Sequence, residues 1–329
     1  MFIFRSPVRI SFSGGGTDME VFYNTHGGAV LNATINKYFY SFYNQREDKV
    51  IQIISSDFQT ALNVEDFYQL QFGEGFDIPV AVIRHFRINS GFDIFMASEV
   101  PPGSGLGSSG AVTVNLIKLC SSLKKENLSK KEIAEEAYFI QRNILKLPIG
   151  KQDEYASAFG GINFIEFDKN GVSVTPFKNE EIMEKLQKRL LLFFTGKTRK
   201  ASEILSKQEE GAKNNSNVVE AMKKVKENCF SMKKALESGK LEEFGSLLDE
   251  AWKYKKKMCD TITNETIDEL YETAKKNGAL GGKLTGAGSG GYLMFFCEEK
   301  QHDKLINALT SKGLKLLDFK FDTQGVTQL

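Results

Sequence analysis

The chain has 329 residues, 41% of them hydrophobic and 26% charged, with 43 basic residues against 42 acidic for a net charge of +1. Those values are ordinary for a soluble globular protein with room for two domains or lobes, and they exclude a bulk electrostatic pull toward nucleic acid or an anionic membrane. The longest apolar runs, such as LLLFF from Leu190, are too short to cross a bilayer.

The N-terminal MFIFRSPVRISF has no apolar core with a cleavage site. Four scattered cysteines (Cys120, Cys229, Cys259, Cys297) show no paired spacing and, with three histidines, no zinc pattern. A cytoplasmic enzyme or binding protein with free thiols is expected. In chain order, FIFRSPVRISFSG reads as extended, punctuated by Gly14, Gly15 and Gly16. AVLNATINKYFYSFYNQ and KVIQIIS are β-branched and aromatic with partial alternation, the mark of strands. PVAVIRHFRI, from Pro79, reads as a short helix with proline in its first turn. FDIFMASEV is a strand leading into PPGSGLGSSG, and AVTVNLIKLCSSL a helix leaving it. Ser129 and Glu132 make a capping box for a helix carrying Ile133, Ala137, Ile140 and Ile144 on one face. The strands GINFIEF and GVSVTPF flank a turn at Lys169 and Asn170. After the strand LLLFFT, the stretch from Lys197 to Asn277 is lysine- and glutamate-rich and helix-patterned, with breaks near 211–217 and at Gly239. GALGGKLTGAGSGGYLMFFC makes two strands around another glycine cluster, and a helix and the strand LKLLDFKF close the chain. Strands and helices mix without regular βαβ alternation, which predicts α+β rather than a doubly wound parallel sheet.

PPGSGLGSSG, beginning at Pro101, sits between a strand and a helix, the arrangement that aims unpaired backbone N–H groups and a helix dipole at an anion. Gly103, Gly105 and Gly107 let the backbone approach phosphate oxygens, and Ser108 and Ser109 add hydroxyls; the alternative is a plain surface turn. Gly105, Gly107 and Gly110 satisfy G-x-G-x-x-G, but Pro-Pro-Gly stands where the tight turn belongs, and Glu126, at the right distance for a ribose contact, lies in a lysine-rich loop. No Lys-Ser or Lys-Thr follows the glycines, which removes the Walker pattern. Two further clusters, SGGGTD (Ser13 to Asp18) and GKLTGAGSGG (Gly282 to Gly291), with GKQDEYASAFGG between them, make independent surface turns a poor account of all three.

PPGSGLGSSG resembles the central motif of the GHMP small-molecule kinases, SPVRISFSGGGTDM their N-terminal motif and KLTGAGSGG their C-terminal one, in family order and spanning most of the chain. Within that superfamily, RISFSGGGTD, HGGAVLNATINKY, GKQDEYASAFGG and TGKTRKASEIL are similar to the D-glycero-D-manno-heptose 7-phosphate kinases. Those enzymes phosphorylate the anomeric hydroxyl toward nucleotide-activated heptose for surface polysaccharide. The resemblance implies an α+β, two-lobe GHMP kinase fold: residues 1–186 as a ribosomal protein S5 domain 2-like ATP-binding lobe and 187–329 as a ferredoxin-like lobe. It implies ATP and Mg²⁺ as cofactors and a sugar phosphate as substrate, with no nucleic-acid or membrane partner expected, and leaves the oligomeric state open.

Carried over residue by residue, Pro102, Gly103, Ser104, Gly105, Leu106, Gly107, Ser108 and Ser109 cradle the ATP phosphates, and the Ser109 hydroxyl meets Mg²⁺. The carboxylate that completes the metal site in the mevalonate kinase branch falls at about Gln141, a neutral amide and a weaker ligand for a hard cation; ligation is then expected from phosphates, Ser109, water and a carboxylate elsewhere, such as Glu135 or Glu136. Asp153, after Gly150 and before the helix-patterned EYASAF, matches the catalytic aspartate, the alternative being a helix N-cap. Arg9 matches the basic residue that offsets charge on the transferring group, where a surface ion pair is the plainer account. Gly16, Thr17 and Asp18 match the sugar-holding turn, with Gly288 on the C-terminal loop also expected at the substrate, whereas His26 is a loop residue. Lys197 and Arg199, with Lys200 a weaker candidate, are expected to meet a substrate phosphate; a solvated basic turn is the alternative. Two competing functions remain beside the sugar-phosphate kinase: a galacto- or fucokinase-like enzyme for a free sugar, and a catalytically silent regulator that binds nucleotide or sugar.

Overall fold

The computed structural model describes all residues except Glu74 and Lys200. Strand β1 (Phe2–Ser13) turns through its glycines into α1 (Glu20–His26) and the long β2 (Gly28–Gln45), followed by β3 (Ile51–Ser55) and β4 (Thr60–Val64). Then come α2 (Asp77–His85), β5 (Phe92–Ser98), α3 (Ser108–Leu123), α4 (Lys130–Phe139), α5 (Gln152–Phe159), the hairpin β6 (Ile162–Asp168) and β7 (Gly171–Phe177), and α6 (Glu180–Gln187). The remainder holds β8 (Leu190–Phe194), α7 (Ala201–Asn214), α8 (Ser216–Glu237), α9 (Leu241–Lys256), α10 (Glu265–Lys276), the hairpin β9 (Ala279–Leu284) and β10 (Tyr292–Cys297), α11 (His302–Thr310), β11 (Lys315–Leu317) and β12 (Thr327–Gln328).

Two sheets result. The larger has eight strands in the order β12-β1-β2-β5-β3-β4, with β6 and β7 branching from β2. β2 is long enough to serve three partners: its first residues pair with β6, its middle with β1 and its end with β5, all antiparallel, while β3 and β5 run parallel. The smaller sheet is antiparallel, in the order β11-β8-β10-β9. Its central strand, YLMFFC, is buried along its whole length because both faces are covered. Tyr292, Met294 and Phe296 join the core that runs under the larger sheet, and Leu293, Phe295 and Cys297 join a second core beneath α10 and α11. Successive side chains of a strand point to opposite faces, so a strand between two cores reads as an unbroken apolar run. Among the described residues no helix is long and apolar enough to cross a membrane.

The α+β expectation holds, as does the Ser129–Glu132 capping box, in which both reciprocal bonds form. Three local expectations change. The helical break near 211–217 is at Asn215, whose side chain accepts from Asn217 and Val218 N–H groups at the start of α8, while Gly211 lies inside α7. The apolar face of α4 ends at Ile140, because residues Ile140–Ile144 form a π-helical turn and Ile144 is exposed. The closing strand shrinks to β11; the chain then returns to the larger sheet, where Phe321 bridges Ile35 and β12 pairs with β1.

Buried Lys283 on β9 donates from Nζ to the Phe12 carbonyl of β1 at 3.2 Å, joining the two sheets at the edge of the glycine turn. Burial, with Arg9 nearby, holds its pKa down from 10.5 to about 7. The unfolded chain therefore binds the extra proton between those values, and Lys283 adds stability as pH rises from about 7 toward 10. Lys283→Met keeps much of the bulk and removes the proton. Urea unfolding across that range should show wild type gaining on the variant as pH rises; parallel profiles would mean that Lys283 is charged in the fold.

Candidate active site

The three glycine segments converge. Gly105 (φ +84°) lies so close to the C-terminal loop that a Cβ there would sit 2.6 Å from the Thr285 carbonyl oxygen, and one on Gly286 would sit 2.5 Å from the Gly105 Cα. The Tyr292 N–H donates to the Ser104 carbonyl at 3.2 Å, and the Arg199 N–H reaches the Gly103 carbonyl at 3.4 Å. Glycine is needed here first for backbone to pass backbone, since α-carbons this close leave no room for side chains. Beneath these contacts lies a cleft of about 740 Å³, within the size range of small-molecule sites.

Gly107 (φ +75°) occupies the N-cap of α3 in the left-handed region, with no side chain capping the helix. The first N–H groups of α3 are thus left for a ligand at the positive end of a 16-residue helix. Arg9, on β1 and buried, fastens the loop: its N–H donates to the Leu106 carbonyl at 2.8 Å and its Nη1 to the Gly105 carbonyl at 2.7 Å. Its Nε and Nη2 meet Asp153 Oδ1 at 2.7 and 2.6 Å. Asp153 stands in the first turn of α5, whose N-cap is Lys151, so it is not the cap. With Oδ1 held by Arg9, Oδ2 faces the central glycine loop, 3.1 Å from where a Gly107 Cβ would be.

Asp18 closes the opposite wall. Its Oδ1 accepts from Gly16 N–H at 2.8 Å and its Oδ2 from Gln152 N–H at 3.0 Å, while burial raises its pKa against those bonds. A chain of polar side chains runs along the start of α3. Ser109 Oγ donates to Gln141 Oε1 at 2.5 Å, and Gln141 Nε2 donates to Glu154 Oε1 at 2.7 Å. Glu154 is 1% exposed, its Oε2 has no hydrogen-bond partner, and burial followed by the charge of Asp153 pushes its pKa well up. Cations come from the C-terminal half. The Arg199 guanidinium lines the cleft with Nε and Nη2 unpartnered, and burial lowers its pKa to about 10. Lys255 of α9 is buried at the cleft and donates to the Gly286 and Leu284 carbonyls; burial, then Lys283, Arg199 and Arg9, push its pKa well below the ordinary lysine value.

Residues 77–161 match the family described as the GHMP kinases N terminal domain and residues 232–315 the GHMP kinases C terminal. The chain is 34% identical to the D-glycero-alpha-D-manno-heptose 7-phosphate kinase of Campylobacter jejuni, over 98% of this chain and 97% of that one. The chain belongs to the GHMP kinases. Its fold superposes on the crystal structure of a D-glycero-D-manno-heptose 1-phosphate kinase from Bacteroides thetaiotaomicron with a TM-score of 0.83 at 30% identity, covering 100% and 99% of the two chains. Galactokinase of Lactococcus lactis, solved with galactose, shares the fold at 21% identity and a TM-score of 0.79, over 100% of this chain and 94% of that one. GHMP kinases are ATP-dependent, and this chain is an ATP-dependent sugar kinase by that membership.

In this GHMP kinase the cleft brings together Arg9, Gly16, Asp18, Pro102, Gly103, Gly105, Gly107, Ser108, Ser109, Asp153 and Arg199. Other expected residues lie behind it. Ser104 and Leu106 are buried under the loop, and the Thr17 hydroxyl is occupied by the Gly14 and Ala29 carbonyls and the Ala29 N–H. Gly288 packs on Ile262, and its neighbours Gly286 and Ala287 line the cleft instead. Lys197 is exposed and outside the cleft lining, while Lys200 lies outside the described residues. Glu135 is held by Lys151 and Tyr155, Glu136 pairs with His85 at 2.9 Å, and neither lines the cleft. Among the described residues no three His, Cys, Asp or Glu side chains are grouped to hold a metal by themselves. Sequence reading passed over Lys255 and Glu154. Lys255 had a signal: it continues the buried stripe Leu241, Phe244, Leu248, Trp252 of an amphipathic helix, where a lysine is out of place.

Two outcomes follow from this geometry. Asp153→Asn keeps the shape and removes the carboxylate charge, so turnover should fall about 10²- to 10⁴-fold while calorimetry shows ATP affinity nearly unchanged; near-normal turnover would leave Asp153 an orienting group. Gly107→Val forces a branched side chain into a left-handed position, at about 1–2 kcal/mol, and pushes it toward Asp153. The folded variant should lose binding of a non-hydrolysable ATP analogue, and unaltered affinity would move the phosphate site elsewhere.

Proposed function

We propose that this GHMP kinase transfers a phosphoryl group from ATP to the anomeric hydroxyl of D-glycero-D-manno-heptose 7-phosphate, giving the 1,7-bisphosphate, in the cytoplasm. The observation that carries the catalytic part is the Arg9–Asp153 pair against the phosphate loop, with one aspartate oxygen bonded and the other free. Asp153 Oδ2 takes the proton of the attacking hydroxyl. Arg9, bonded to both the base and the Gly105 carbonyl, keeps the two in register and offsets charge on the group in transfer. The N–H groups at the start of α3 hold phosphate oxygens, and Asp18, fixed by two backbone N–H groups, accepts from sugar hydroxyls. Ser109 and the polar chain that ends on the bare Glu154 oxygen would hold Mg²⁺, which would offset charge on the phosphoryl group that ATP would supply. Residues 1–186 serve as the nucleotide lobe, and 187–329 bring Arg199 and Lys255 to the cleft.

The substrate reading is supported by full-length likeness to two heptose phosphate kinases, whose names place the phosphate differently, and by Arg199. A buried guanidinium with two nitrogens unpartnered is costly unless an anion completes it. Arg199 reads the phosphate remote from the reacting hydroxyl, and that binding energy orients the reacting end, so a sugar without the phosphate loses turnover as well as affinity. A charge-assisted contact contributes roughly 1.5–3 kcal/mol. Arg199→Ala should therefore lower kcat/KM about 10- to 150-fold for the 7-phosphate and little for the free heptose. Equal losses with both sugars would assign Arg199 to the nucleotide. Faster reaction of wild type with a free sugar would favour a galacto- or fucokinase-like enzyme, and no turnover with any sugar would leave a binding regulator.

A further inference from the structure

The Gln141–Glu154 pair is an oddity in a site built around charge. Three carboxylates, Asp18, Asp153 and Glu154, come together at the start of α5. Asp153 is neutralised by Arg9, and Asp18 receives two backbone N–H groups. Glu154 receives one hydrogen bond, from the neutral amide of Gln141, and its second oxygen is buried without a partner. Burying a carboxylate with an unmet lone pair is costly unless a cation or further donors complete it. Ser109, whose hydroxyl is expected at the metal, reaches Glu154 through a single side chain, and all three residues line the cleft. The intervening amide is brought there by the π-helical turn Ile140–Ile144, a local irregularity that often marks a functional position.

We propose that Glu154 supplies the carboxylate ligand of the divalent cation, through Oε2, and that Gln141 orients Glu154 and Ser109 without contributing charge. The inference rests on the kinase reading above. The carboxylate missing from the α4 end of the site is provided from α5, across the same hydrogen bond. A magnesium ion held by one carboxylate, a hydroxyl, phosphate oxygens and water matches the usual way this ion is bound in phosphoryl-transfer sites. Such a site draws a single carboxylate from the protein, so it needs no three side chains grouped to hold the ion by themselves, and among the described residues none are.

The test uses Mn²⁺ as a spectroscopic stand-in and the intact protein with saturating ADP, with bound Mn²⁺ read by electron paramagnetic resonance. Glu154→Gln should weaken Mn²⁺ at least about tenfold, with ADP affinity measured without metal unchanged. The exchange variant Gln141→Glu/Glu154→Gln returns a carboxylate to the same hydrogen bond from the other side and should recover most of the loss. Should Glu154→Gln fail to fold, Glu154→Asp keeps the charge on a shorter arm and should still weaken Mn²⁺ while leaving metal-free ADP binding intact. Mn²⁺ affinity equal to wild type in the folded variant of either kind overturns the assignment to Glu154 and leaves the kinase reading standing. Failure of wild type to bind ADP at all overturns the kinase reading itself.

Discussion

One side chain, Arg9, holds the site in register. It rises from the first strand into a space bounded by the central glycine loop and the first turn of α5, and spends its donors on the Gly105 carbonyl and Asp153 Oδ1, with its own backbone N–H on Leu106. A planar guanidinium suits this work because its donors diverge at fixed angles, so anchoring one neighbour constrains the position of the next. Asp153 and the backbone of the central glycine loop are thereby set relative to each other by a rigid part of the larger sheet.

Around that pin the loops close through backbone contacts. The central and C-terminal glycine segments pass at distances that admit no Cβ, and the Ser104 carbonyl accepts from Tyr292 at the start of β10. Glycine therefore does two jobs in the same ten residues: it leaves the loop's backbone open to the cleft, and it lets residues from the two halves of the chain lie against one another. The shared core supports this. One face of β8 and β10 packs into the hydrophobic cluster of the larger sheet, so the two sheets are joined by apolar burial as well as by the loops over the cleft.

The cleft is charged in a balanced way. Carboxylates come from the glycine turn after β1 and from α5, and cations from β1, from the segment before α7 and from α9, most of them withdrawn from water. Near-zero net charge over the whole chain hides this local density. Desolvation pushes each such group toward its neutral form unless a partner of opposite charge arrives, which gives anionic substrates and a cation a direct energetic role in completing the site.

The chain order of strands and helices, the capping box of α4 and the three glycine segments were legible in the sequence, because each depends on residues a few positions apart: apolar periodicity, a cap three residues before its partner, or a turn that needs glycine. Arg9, Asp18 and Asp153 could be named for the same reason, each sitting in a motif beside a strand or a helix start. The buried charge of Lys255, the bare oxygen of Glu154 and the seclusion of Thr17 and Leu106 behind the loop could not be read that way. They depend on which distant segments cover a side chain, and a lysine within KYKKK or a glutamate within DEY looks like any other until α9 meets the C-terminal loop and α5 meets the π turn. Local sequence determined the conformation of each segment, and tertiary packing decided its solvation, because water is removed from a group only by residues far away in the chain.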